Sequence, residues 1–163
     1  MNKKIFMSGV LMAILLLLVN TAFALQTVNT DPSAANPGAS ANGSFVLTND
    51  DVVNAAIGIS VSSAALVGVS DVTKNIPVSA ISFNPSSVSS LAASGSTTIA
   101  TTVAIPSNLA AQTYQGVVTV IGIAGGNPVS DTFTLSVVVN SYSSLDVPTY
   151  DATTALEIRG QED

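Results

Sequence analysis

From residue 25 onward apolar side chains recur at every second position, and no stretch carries the 3.6-residue period of a helix with one buried face. A chain with that habit folds into strands that each bury one side. "GSFVLTN" sets Phe45 and Leu47 against Ser44 and Thr48, and "AAIGISVSS" sets Ile57, Ile59 and Val61 against Gly58, Ser60 and Ser62. "SAISF" puts Ile81 beside Phe83, and "STTIATTVAIP" puts Ile99, Val103 and Ile105 opposite Thr98, Ala100, Thr102 and Ala104. "DTFTLSVVV" separates Phe133, Leu135, Val137 and Val139 from Thr132, Thr134 and Ser136. Each of these is the pattern of a half-buried strand.

The breaks between them carry turn chemistry. Asp31 to Gly38, Thr48 to Asp51, Phe83 to Ser87, Ala93 to Gly95, Ile105 to Asn108 and Gly125 to Pro128 are rich in Gly, Pro, Asn, Asp and Ser. With "LQTVNT" before the first break and "YQGVVTVIGI" after Thr113, the count is seven strands, spaced by roughly a dozen residues. That spacing predicts a two-sheet antiparallel sandwich and argues against a βαβ fold. The sandwich is expected over residues 25–140, and residues 141–163 read as a polar tail. In that tail Leu156 and Ile158 alternate with Glu157 and Arg159, the pattern of one short edge-pairing strand.

The segment before residue 25 has a different purpose. Lys3 and Lys4 precede an apolar run from Ile5 to Val19, and Ala22-Phe23-Ala24 supplies small residues at cleavage positions. This is the layout of a secretory signal peptide over residues 1–24, with the mature chain starting near Leu25. An uncleaved membrane anchor is the other reading. Fifteen residues of helix span only about 22 Å against a bilayer core of roughly 30 Å, which favours cleavage. The expected location is therefore extracellular, secreted or held at the cell surface, with membrane contact only through the leader.

An exported chain without a cysteine is held by packing and backbone hydrogen bonds alone. Loss of Lys3 and Lys4 with the leader leaves Lys74 and Arg159 against ten acidic residues, a net charge of −8. Such a surface cannot neutralise a phosphate backbone, so nucleic acid is excluded as a partner. The chain has no histidine, and no "G-x-S-x-G" or "S-x-x-K" occurs, so the serines lack the base that nucleophilic catalysis requires. Lys74 in "DVTKN" reads as a solvated loop charge. The adjacent Asp50 and Asp51 lie in a turn, where aspartate serves the backbone more often than glycoside hydrolysis. Zinc and other transition metals find no soft or imidazole ligand. Calcium has weak candidates in Asp50, Asp51, Asp71 and Asp131, with ordinary turn aspartates as the alternative. Asn42-Gly43-Ser44 is the one N-glycosylation sequon. No enzyme and no cofactor are expected.

Residues 36–139 resemble the α-galactosidase-associated Ig-like domains of archaeal and bacterial surface proteins. The likeness rests on Pro85 to Val88 with Leu91 after it, Gly95-Ser96, Ile105-Pro106, and Tyr114, Gly116, Val118 and Val120; "GSFVLTND" is similar to the family's second strand and turn. The resemblance implies a seven-stranded antiparallel Ig-like β-sandwich serving as an accessory or surface module, with no catalytic residue to carry over. In Ig-type sandwiches a tyrosine near the start of the sixth strand bonds back to the preceding loop, and Tyr114 stands there with "SNLAAQ" before it. A sugar-stacking platform is the alternative role, weakly supported in a chain without tryptophan.

The sixth strand is apolar on both sides. Val118 and Val120 share the tyrosine's side, while Val117, Ile121 and Ile123 form the other, interrupted only by Thr119. Either the chain covers that second face itself, or the face is a contact patch for a partner. Three functions follow as expectations. The first is a non-catalytic interaction module that meets a protein or an envelope polymer. The second is a surface-filament or layer subunit that joins copies of itself by strand addition. The third is an accessory polysaccharide-binding domain.

Overall fold

The computed structural model describes residues 25–141. The expected signal peptide (1–24) and nearly all of the expected tail, with Leu156 and Ile158, lie outside the described residues. Ten strands form two antiparallel sheets, and the described residues include no α-helix, only a 3₁₀ turn at Val78–Ala80. The strands are β1 (Leu25–Thr30), β2 (Ser40–Asn49), β3 (Ala56–Ser63), β4 (Leu66–Gly68) and β5 (Asn75–Ile76), followed by β6 (Ile81–Asn84), β7 (Ser87–Leu91), β8 (Ser96–Ala104), β9 (Gln112–Ala124) and β10 (Asn127–Val139).

The first sheet runs β1-β2-β8-β6. In the second, β9 pairs along its whole length with β10, from Gln112 opposite Val139 to Ala124 opposite Asn127. The other edge of β9 takes β3 from Val118 to Ala124 and β4 at Tyr114 and Gln115. β7 pairs outside β3, and β5 outside β4. The β9–β10 hairpin turns on Gly125 (φ 55°) and Gly126 (φ 78°), the pair of left-handed residues that a two-residue turn between twisted strands requires.

Seven strands were expected, and the described residues hold ten. The three additions are β4, β5 and β7. β4 and β5 have three and two residues, too short to display a period, and β7 ("SVSSL") holds only two apolar residues. β7 forms because the chain leaves the first sheet after β6, turns through a cis Asn84–Pro85 peptide and pairs with β3 of the second.

A second correction concerns Ile57. It does not share a face with Ile59 and Val61: Ile59 is buried and Ile57 is half exposed. Gly58 sits between them at φ 60°, and the pairing with β9 slips there from Ile57↔Ile123 to Ser60↔Ile121. One extra residue in a strand reverses every side chain on one side of it relative to the other, which is a β-bulge.

The core lies between the sheets in two clusters. One gathers Tyr114, Leu66, Ile76, Val103, Val118, Leu135 and Val137; the other gathers Leu25, Phe45, Leu47, Ile59, Ile99 and Val120. Val61, Phe83 and Phe133 pack against both and join them. The Phe45 ring lies 4.9 Å from the centroid of Phe133 and meets Phe83 edge-on at 6.1 Å. Such tilted and edge-on contacts suit the ring quadrupoles.

Candidate interaction surface

Tyr114 is wholly buried at the start of β9. Its hydroxyl donates to the carbonyl of Ala110 at 3.0 Å and accepts from the Gln112 side-chain amide at 3.2 Å. The Gln112 Oε1 in turn accepts the backbone N–H groups of Ser70 and Asp71, each at 2.9 Å. The tyrosine therefore anchors the loop before β9, and Gln112 extends that anchor to the β4–β5 loop. With its ring inside the core, it offers no face for a sugar to stack on.

The four aspartates considered for calcium do not converge, and no group of three or more metal-ligating side chains exists among the described residues. Asp50 is exposed and Asp51 buried in the β2–β3 loop. Asp51 Oδ1 accepts the N–H groups of Val53 at 2.8 Å and Asn54 at 3.0 Å, so the carboxylate shapes its own turn. Burial pushes this carboxyl upward, but the N–H donors of Asn54 and Val53 and the Asn54 side-chain amide outweigh it and hold the group below its ordinary value. Asp71 is lowered too, first by the hydroxyl and then by the N–H of Thr73, with Lys74 adding a favourable charge. Asn42 stands exposed on the outer face of the first sheet, where its Oδ1 accepts from the Thr102 hydroxyl at 3.0 Å.

Asp131 has a different role, and Asp31 shares it. β1 and β10 are neighbouring edges of the two sheets. Asp131 Oδ2 accepts both the N–H and the hydroxyl of Thr27 at 2.7 Å, while its Oδ1 accepts the N–H of Thr132 at 2.8 Å. Five residues on, the N–H of Ser136 donates to Asp31 Oδ1 at 3.1 Å, and the Asn29 amide donates to that same oxygen at 2.6 Å. Further along, Ala35 forms a parallel bridge with Val139: its N–H donates to Val138 at 3.1 Å and its carbonyl accepts from Asn140 at 3.0 Å. Two carboxylates and one short bridge thus occupy edge groups that an added strand would need. Asp31 had no place among the sequence candidates. Its partner lies 105 residues away, so no local pattern announces it.

The outer face of the β3–β9–β10 sheet has no such partners. Val117, Ile121 and Ile123 are 49 %, 52 % and 46 % exposed. The bulge adds Ile57, directly opposite Ile123, and β10 adds Pro128 on the other side of Ile123. The row Ile57–Ile123–Pro128 crosses three strands, and the next row is Ser60–Ile121–Ser130. A shallow open groove of about 590 Å³ runs past Gly58, Ile121, Ile123, Pro128 and Ser130. Every ionisable group of residues 25–141 apart from Tyr114, namely five aspartates and Lys74, lies in loops or at the β1–β10 seam. The face is therefore apolar in its middle, hydroxyl-bearing around it, and uncharged.

No family model matches the chain, and no curated protein matches it. Solved structures do. PapD-like domain 7 of human CEP192 superposes with a TM-score of 0.54 at 15 % identity, over 74 % of this chain and 89 % of that one. A family 123 glycoside hydrolase from Clostridium perfringens gives 0.54 at 15 % identity, over 73 % of this chain and 28 % of that one. A protein of unknown function from Porphyromonas gingivalis gives 0.51 at 17 % identity, over 74 % of this chain and 50 % of that one. The chain thus spans only about a quarter to a half of the last two. What these similarities establish is the architecture: residues 25–141 are an all-β, antiparallel sandwich of the Ig-like, PapD-like kind.

Proposed function

We propose that this chain is a non-catalytic Ig-like module, exported to the cell surface or beyond, that works by protein contact. The observation that carries this reading is the uncharged apolar face of β3, β9 and β10, with Val117, Ile121 and Ile123 about half exposed on a single strand. Contiguous exposed apolar surface on a folded domain marks a contact site. The leader-like residues 1–24 support export, and the absence of cysteine and histidine supports a non-catalytic role. The resemblance to the α-galactosidase-associated Ig-like domains points the same way. Strand addition has less support at the β1–β10 seam, because Asp31, Asp131 and Ala35 already take its outward groups.

The test is fractionation of producing cells, with mass spectrometry of the recovered chain. The reading requires the protein outside the plasma membrane, accessible to a protease added to intact cells, with its N-terminus near Leu25. A cytoplasmic protein that keeps Met1, or turnover in a broad hydrolase screen, would overturn it.

A further inference from the structure

We infer that the partner of this face is a second copy of the chain: two β3–β9–β10 sheets pack against each other about a two-fold axis. This rests on the contact-module reading above and names its partner. Three observations carry it.

Charge is the first. The chain is strongly acidic, with ten carboxylates against four basic residues, so two copies repel each other on net charge. The β3–β9–β10 face has no ionisable side chain, so two copies can meet there without that repulsion. A basic protein would find nothing on this face to pair with.

Shape is the second. A two-fold interface must be complementary to itself. Ile121 and Ile123 project beside the groove that passes Gly58, so the surface carries both a ridge and a hollow. Two such sheets stack about 10 Å apart, each ridge entering the other's hollow.

Area is the third. β9 and β10 have 13 residues each and β3 has 8. At about 3.4 Å per residue and 4.8 Å per strand these present roughly 550 Å² in projection, and more as corrugated accessible surface. A standard interface takes about 800 Å² from each partner. The face falls at the small end of what specific pairing needs, so the dimer is concentration-dependent.

Sedimentation velocity of the full chain as released by the producing cell, from about 1 µM to 1 mM, reads the equilibrium. The expected result is a monomer–dimer transition within that range. Ile121→Glu sets two carboxylates into the interface and should weaken dimerisation by at least about tenfold; Ile121→Ser, which adds no charge, should weaken it less. Val28→Glu, an equally drastic change at an exposed valine of the first sheet, should leave it unaltered. Because the chain has no cysteine, Thr119→Cys supplies a lone thiol in this face, and its reaction with a maleimide should slow as the dimer forms. A monomer throughout the range would overturn the proposal, as would a dimer indifferent to Ile121→Glu. If the monomer's Thr119→Cys also resists a maleimide, the chain covers the face itself. Those results leave export and surface exposure to be decided by fractionation, so the two readings fail separately.

Discussion

The two sides of β9 are both largely apolar and meet opposite fates. Inward, Tyr114, Val118 and Val120 are fully buried; outward, Val117, Ile121 and Ile123 remain about half exposed. Residue type cannot explain the difference, since valine is fully buried on one side and half exposed on the other. What differs is the covering layer. The inward side meets Phe45, Ile99 and Val103 of the first sheet and Ile105 just past the end of β8, whereas no described residue stacks over the outward side. Hydrophobic character therefore reports that a surface is meant to be covered, and topology alone says whether this chain does the covering.

The largest test of that contrast lies on the inward side. Phe133 joins both core clusters and packs its ring against Phe45, so Phe133→Ala should cost about 3–5 kcal/mol in chemical denaturation. A cost below about 1 kcal/mol would mean that the inward side is not the tightly packed one. Next is the seam. Asp131→Ala strands the N–H and hydroxyl of Thr27 and the N–H of Thr132, and a loss of about 2 kcal/mol is expected, with partial relief from water. An unchanged melting curve would show that the seam's edge groups are as well served by solvent as by carboxylate.

Tyr114→Phe keeps the ring and deletes the bond to Ala110, so a loss of about 1–2 kcal/mol is expected. Acid acts more mildly. Asp51 and Asp71 are lowered in the folded chain, so their stabilising contribution is complete above the ordinary carboxylate value. It is lost as pH falls through their depressed folded values, so Tm should hold at pH 5 and decline below about pH 4. Asp51→Ala should flatten that decline while lowering Tm at neutral pH. Smallest of all is Ile123→Thr on the outward side, expected to shift stability of the dilute monomer by less than about 0.5 kcal/mol. A loss comparable to that of Phe133→Ala would prove the outward side covered from within.

The alternation of Phe45 with Leu47, of Ile99 with Val103 and of Leu135 with Val137 was legible because burial on one face leaves a period-two trace. Tyr114 was legible because turn residues before it and valines after it define a strand start. Gly58 carries a signal that overrides the period: a lone glycine inside an alternating strand marks a bulge, and that bulge turns Ile57 outward. β7 was not legible, since serines dominate it and its pairing depends on where β6 ends. The seam could not be read at all. Asp31 and Asp131 look like any turn or strand-end aspartates until folding brings together positions more than a hundred residues apart.

That seam has a mechanical consequence. Thr27 meets Asp131, Asp31 meets Ser136, and Ala35 meets Val139, so both partners advance in the same direction. Tension that draws the chain's beginning one way and its end the other therefore slides these two segments lengthwise past each other. Sliding loads all the cross-links together, whereas peeling would break them one at a time. A tether built this way yields abruptly and at higher force than one that unzips. For a domain loaded through its two ends, such a clamp between the first and last strands keeps the fold intact until the load exceeds what the whole row can bear.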